Sequence, residues 1–251
     1  MSFDIDISEG AGVRYLHFGS DWIQGAMRIA RPWSLELEYT KEMMASLLMH
    51  RQPSWPRRVL LIGLGAGSLT KFLYRYRPDA RLTVVEIEAR VAAAARHHFR
   101  LPDEDDRLQI VIDDGANFVM KKGPAYDLIL VDGYDEDAKS GVLNTVPFYL
   151  NAKSRLSDQG LLAVNLLSRR KDFKESVARL NEAFDGRSLV FPSCDSGNAI
   201  GFAASGKTVT LSLQELRQQA AQLRKESTLN LEPTLARLAK MMEGNEGILK
   251  I

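Results

Sequence analysis

The segment ILVDGYDED, residues 129–137, joins an apolar run to four acids, Asp132, Asp135, Glu136 and Asp137. Acids at the end of a core strand can cap a following helix, decorate a solvated loop, or hold a cationic substrate. Three other segments carry residues able to complete a site. GLGAG places Gly63, Gly65 and Gly67 at alternate positions; without a Cβ the backbone turns tightly and lets a ligand approach closely. A ligand-free turn from strand to helix accounts for the same residues. Glu86 closes a second apolar run about twenty residues on, where a carboxylate can accept both hydroxyls of a ribose. In DDGANF, either Asp113 or Asp114 can accept a hydrogen bond from the exocyclic amine of adenine. Asp114 is equally placed to cap the helix that follows. Ser68 stands where a dinucleotide fingerprint has Gly or Ala, so the pattern favours an adenosyl ligand without pyrophosphate over NAD.

Those residues meet only if their strands end on one edge of a sheet. From residue 58 the sequence alternates RVLLIGLG, AGSLTKFLYRY, RLTVVEIE, ARVAAAARHHF, LQIVIDD, GANFVMKK and YDLILVD, strand with helix. It continues with VPFYLNAKSRL as helix, GLLAVNLL as strand and KDFKESVARLNEAF as helix. Single helices between strands imply right-handed parallel crossovers and an α/β, open, mostly parallel Rossmann-like sheet. SLVFPSC and AIGFAAS, separated only by DSGN, predict an antiparallel hairpin at its edge and a total of seven strands. Ligands bind such sheets at the carboxyl ends of the strands, near the reversal of strand order. In the usual order Asp132 ends the strand next to the glycine loop.

VRYLHFGSDWIQGAMRI predicts a small N-terminal β-hairpin turning at GSD, and SLELEYTKEMMASLLMH a helix, with Leu37, Met43, Met44, Leu47 and Leu48 on one face. RQPSWPRR ends that helix, which divides the chain into an N-terminal appendage, 1–57, and a Rossmann-like α/β domain, 58–251. Residues 211–242 predict polar amphipathic helices packed as a tail.

With 251 residues, 45% hydrophobic and 26% charged, the chain can bury a full core. A net charge of +1 points to neither nucleic acid nor an anionic membrane as partner. The lone Cys194 excludes an internal disulfide and a cysteine metal cluster. The first residues, MSFDIDISEG, lack a signal-peptide pattern, and a cytoplasmic location is expected. His97 and His98 are adjacent and cannot ligate one metal as an i, i+4 pair can. They read as surface or packing histidines, as do the isolated His17 and His50, and no metal is expected.

In order and spacing these segments resemble the spermidine synthase family of polyamine aminopropyltransferases, over roughly residues 13–206. WIQG is similar to the family's N-terminal hairpin with its ligand-contacting glutamine, here Gln24. EYTKEMM is similar to its Tyr-x-Glu-Met helix start, with one extra residue between Tyr39 and Glu42. The resemblance implies cofactor binding by Gly63, Gly65, Gly67, Glu86, Ile87, Asp113 and Asp114. It implies substrate binding by Gln24, Tyr39 and Asp135, and a catalytic role for Asp132. The implied reaction moves an aminopropyl group from decarboxylated S-adenosylmethionine to a di- or polyamine and releases methylthioadenosine, in a homodimer. An alkylamine with a pKa near ~10.4 is almost wholly protonated at neutral pH. A carboxylate must therefore help remove a proton, and clustered acids hold the remaining cationic groups.

The chain departs from the family pattern at three places. Ala66 stands where the family has an aspartate that holds the donor's amino group. Cys194 replaces a tyrosine of the acceptor site, beside Asp195, and Thr40 stands where His or Gln follows the helix tyrosine. Loss of the anion at residue 66 also fits intact S-adenosylmethionine, whose carboxylate it would repel. A methyltransferase and a non-catalytic nucleoside-binding homologue are therefore the alternatives. Against the former, the acid that methyltransferases often place two residues before the first glycine is Leu61.

Overall fold

The computed structural model describes residues 4–20, 22–52, 54–134, 139–191, 197–206, 208–242 and 247–251. Its frame is a seven-stranded sheet of β4 (Arg58–Ile62), β5 (Arg81–Glu86), β6 (Leu108–Ile112), β7 (Tyr126–Val131), β8 (Leu156–Leu167), β9 (Ser188–Val190) and β10 (Asn198–Ala204). The spatial order is β6-β5-β4-β7-β8-β10-β9, parallel from β6 to β8, with β10 antiparallel to both β8 and β9. The predicted edge hairpin is therefore present. Strand order reverses between β4 and β7, which places the end of β7 beside the loop after β4.

Alternating side chains face two cores. Val59 and Leu61 point to one side with Phe72 and Leu73 of α2 (Ser68–Tyr76) and Ala92 and Ala95 of α3 (Ala89–Phe99). Leu60 and Ile62 point to the other, with Val119 of α4 (Gly115–Met120), Phe148 and Tyr149 of α5 (Val146–Ser154), and Leu180 of α6 (Phe173–Ala183). Burial on both faces explains why β4 and β7 read as nearly continuous apolar runs. The one interruption, Asp127, accepts hydrogen bonds from Arg57 N and Arg58 N at 2.8 and 3.0 Å and from Ser157 Oγ at 3.0 Å. It fastens the start of β4 to its neighbours.

The N-terminal unit is a three-stranded antiparallel sheet, β1 (Ile5–Gly10), β2 (Val13–Phe18) and β3 (Ile23–Arg28), where the sequence predicted a hairpin alone. β1 is largely exposed, and only Ile5 and Ile7 of it pack against the core, too short an alternation to mark a strand. The predicted long helix is a short α1 (Glu38–Met43) continuing as 3₁₀ turns over Met44–Leu48, and Met43, Met44, Leu47 and Leu48 are built into the core beneath the main sheet. The tail forms α7 (Leu213–Ser227) and α8 (Glu232–Met242), tied by a two-stranded sheet of β11 (Thr210–Ser212) and β12 (Ile248–Lys250) that the sequence did not suggest. Among the described residues no helix is long and apolar enough to cross a membrane.

Candidate active site

The loop after β4 turns through Gly63, Gly65 and Gly67, whose φ angles of +95°, +51° and +67° favour glycine at each position. Space forbids a side chain at Gly63 and crowds one at Gly65. A Cβ on Gly63 would lie 2.2 Å from the carbonyl oxygen of Asp132, and one on Gly65 would lie 3.2 Å from that of Gln24. The loop is thus pressed between the end of β7 and strand β3. Gly25 of β3 meets Ala66 so closely that a Cβ there would stand 2.6 Å from the Ala66 Cβ, and Ser68 Oγ donates to Ala26 O at 3.1 Å. Ala66 itself is buried with Leu16, Phe18, Met27, Val91 and Phe99.

Glu86, at the end of β5, is 7% exposed. Its Oε2 accepts from Leu64 N at 2.9 Å and its Oε1 from Glu88 N at 3.0 Å, so the side chain binds the glycine loop to the next strand end. Burial raises its pKa, opposed by those backbone N–H groups. Each oxygen still has acceptor capacity for a ribose hydroxyl. Ile87, next along, is 69% exposed and offers an apolar surface beside the carboxylate.

The Asp113/Asp114 alternatives resolve into different local roles. Asp114 caps α4 through one oxygen, Oδ1, which accepts from Ala116 N at 2.8 Å and Asn117 N at 3.0 Å. The Asp113 carboxylate is paired with Lys121 and accepts from Asp114 N, and the Lys121 ammonium holds its pKa below the usual range.

Asp132 does not cap a helix within the described residues. Its Oδ2 accepts from Tyr39 OH at 3.1 Å and its Oδ1 from Asn165 Nδ2 at 2.9 Å. Burial pushes its pKa up, and these two donors pull it down. Asn165, from β8, is 5% exposed, and its Oδ1 is buried with no hydrogen-bond partner among the described residues. Tyr134 OH donates to Asn165 O at 2.5 Å and fixes the strand end further. A carboxylate of raised pKa beside an unmatched buried acceptor suits a substrate that brings N–H donors. Asn165 escaped the sequence reading, although a single amide inside GLLAVNLL was a visible signal. Gln24 places its backbone over the glycine loop, Tyr39 reaches Asp132, and Asp135, Cys194 and Asp195 lie outside the described residues.

The family model of the spermine/spermidine synthase domain matches residues 37–190, which span the glycine loop, Glu86, Asp132 and Asn165. The chain belongs to the spermine/spermidine synthase family. A family relative named polyamine aminopropyltransferase, from Chromobacterium violaceum, is 34% identical over 248 residues, 99% of this chain and 94% of its own. The fold of this spermine/spermidine synthase family chain is shared with a spermidine synthase in complex with the transition state analogue AdoDATO. That match has a TM-score of 0.69 at 22% identity and covers 94% of this chain and 85% of the other. Human methyltransferase-like protein 13 in complex with SAH is also similar, with a TM-score of 0.69 at 25% identity, over 77% of this chain and 93% of the other.

Proposed function

We propose that the protein is a polyamine aminopropyltransferase that moves an aminopropyl group from decarboxylated S-adenosylmethionine to a di- or polyamine. The observation that carries this reading is the Asp132 carboxylate, of raised pKa, set between Tyr39 and Asn165 at the strand end next to the glycine loop.

The residues fit an adenosyl ligand in most respects. The glycine loop permits close approach, Glu86 keeps acceptor capacity for ribose, Ile87 gives an apolar face, and Asp114 retains its Oδ2 beyond the cap. The donor supplies a carbon activated by its sulfonium. Asp132 accepts a proton from the acceptor ammonium, freeing the amine lone pair, while Tyr39 and Asn165 hold the carboxylate in place. Asn165 Oδ1 receives a second N–H of the same amine and aligns it. Asp135 is assigned the remaining cationic group on the strength of the family resemblance. The homodimer and the cytoplasmic location belong to this reading too; light scattering on the purified protein tests the former.

Ala66 favours a second reading, a methyltransferase that takes intact S-adenosylmethionine, because no carboxylate at that position repels the methionyl carboxylate. One experiment separates the two. Methylthioadenosine release is followed with each donor against a panel of di- and polyamines, alongside thermal shifts with both donors and methylthioadenosine. Release from the decarboxylated donor alone supports aminopropyl transfer. Turnover of only the intact donor, with release of S-adenosylhomocysteine, overturns it.

A further inference from the structure

The hydroxyl that touches Asp132 is carried by a short element, held to the core by Met43 and the 3₁₀ turns that follow and to the tail by one ion pair. Tyr39 belongs to α1, a helix of six residues with no side-chain N-cap, far shorter than a helix stable on its own. One turn on, Glu42 is 1% exposed and forms an ion pair with Arg237 of α8, 195 positions away in sequence. Thr234 Oγ1, one turn before Arg237, adds a contact to Glu42 Oε2 at 3.4 Å. Residues three apart on a helix share a face. Rotation or withdrawal of α1 would therefore break the Glu42 pair and the Tyr39 contact together. Charge burial makes the coupling stiff, because a buried carboxylate that loses its partner is left uncompensated. α8 is itself anchored, since Leu235, Leu238 and Met242 lie in the main core.

We propose that Arg237 is a positioning residue: through Glu42 it fixes α1, and so sets the Tyr39 hydroxyl on Asp132. The tail helices are then part of the support of the site. The inference rests on the reading of Asp132 as base only for its catalytic consequence; the structural link stands apart from it. Tyr39 from α1 and Tyr134 from its own loop are the titratable groups that face Asp132 among the described residues, and Asn165 is neutral. A variant that loosens α1 removes one of the two donors holding the Asp132 charge, as Tyr39→Phe does directly. The carboxyl must then titrate at higher pH.

The test uses Arg237→Gln, Tyr39→Phe, their combination, and Arg237→Lys, which keeps the charge. Carbon-13 NMR of labelled aspartate follows the Asp132 carboxyl without substrate, assigned by its loss in Asp132→Asn. The pH profile of methylthioadenosine release is recorded in parallel. Arg237→Gln is expected to move the Asp132 titration upward in the same direction as Tyr39→Phe, with no further shift in the combination and recovery in Arg237→Lys. Turnover near pH 7 should fall roughly tenfold, within the range for a group displaced from afar. Should Arg237→Gln not fold, Glu42→Gln with Arg237→Gln removes both charges at once and is held to the same expectation. An Asp132 titration unchanged in the folded variant, or shifts that simply add, overturns the proposal. If no protein turns over, the NMR titration still decides the structural link, and it is the functional reading that fails.

Discussion

The carbonyl oxygen of Asp132 occupies the space that a Cβ on Gly63 would need, 2.2 Å away, and Asp132 N donates to Ile62 O at 2.9 Å. The glycine loop and the strand end that bears the acid are thus packed backbone on backbone. Neither can shift without the other.

Gly63→Ala should therefore harm both halves of the site. The new methyl strains a residue held at φ +95° and pushes directly on Asp132. A stability loss of about 1 to 3 kcal/mol is expected. Chemical denaturation measures this, and calorimetry with methylthioadenosine should show weaker binding. Wild-type values in both would contradict the packing described.

Ala66→Asp tests the donor site. The side chain is buried among apolar groups, so a carboxylate there is desolvated and lowers the melting temperature of the free protein. A ligand that brings an ammonium to it should restore that loss. The thermal shift given by decarboxylated S-adenosylmethionine should grow relative to that of the intact molecule. An unchanged ratio of the two affinities would count against residue 66 as a determinant of donor choice.

Much of this arrangement is legible in the sequence. The alternation from Arg58 onward fixes the parallel sheet, and the ends of its apolar runs mark Gly63, Glu86, Asp113 and Asp132 as neighbours. β1 is not legible because its residues are mostly exposed and polar. α1 ends early because its later residues tighten into 3₁₀ turns as Met44 to Leu48 enter the core, a tertiary demand that helical spacing does not reveal. The Glu42 and Arg237 pair joins positions with no local pattern to connect them. The sequence left open which of Asp113 and Asp114 meets adenine and gave Asp114 as a possible cap; the hydrogen bonds show that cap, and pair Asp113 with Lys121.

Lys71 should make stability depend on pH. Its Nζ donates to Phe99 O at 2.7 Å from a buried position, and desolvation lowers its pKa to about 7. An unfolded lysine keeps its proton to about pH 10.4. Between these values the unfolded chain binds more protons than the folded one, so stability rises with pH from about 7 to 10, and the penalty is full below 7. Lys71→Met keeps the stem and removes the charge. It should stabilise the protein at pH 7 by about 1 to 3 kcal/mol, net of the Phe99 carbonyl left unpaired, and flatten the rise. Equal slopes in both proteins, measured by denaturation across this range, would contradict the assignment.

The central claim is that the acid at the end of β7 serves chemistry. Burial raises the Asp132 pKa above that of an unfolded aspartate, so the folded protein holds this proton longer and loses stability as pH rises through the window between the two values. The charged form at neutral pH is therefore a structural cost. Asp132→Asn keeps the shape and removes that charge, and it should leave the protein at least as stable as wild type. The most direct measurement is methylthioadenosine release by wild type and Asp132→Asn at equal protein concentration, with the melting temperature of each. The account predicts a rate about 10²- to 10⁴-fold lower in the variant, with undiminished stability and little change in nucleoside affinity. Equal turnover in the two proteins would contradict it.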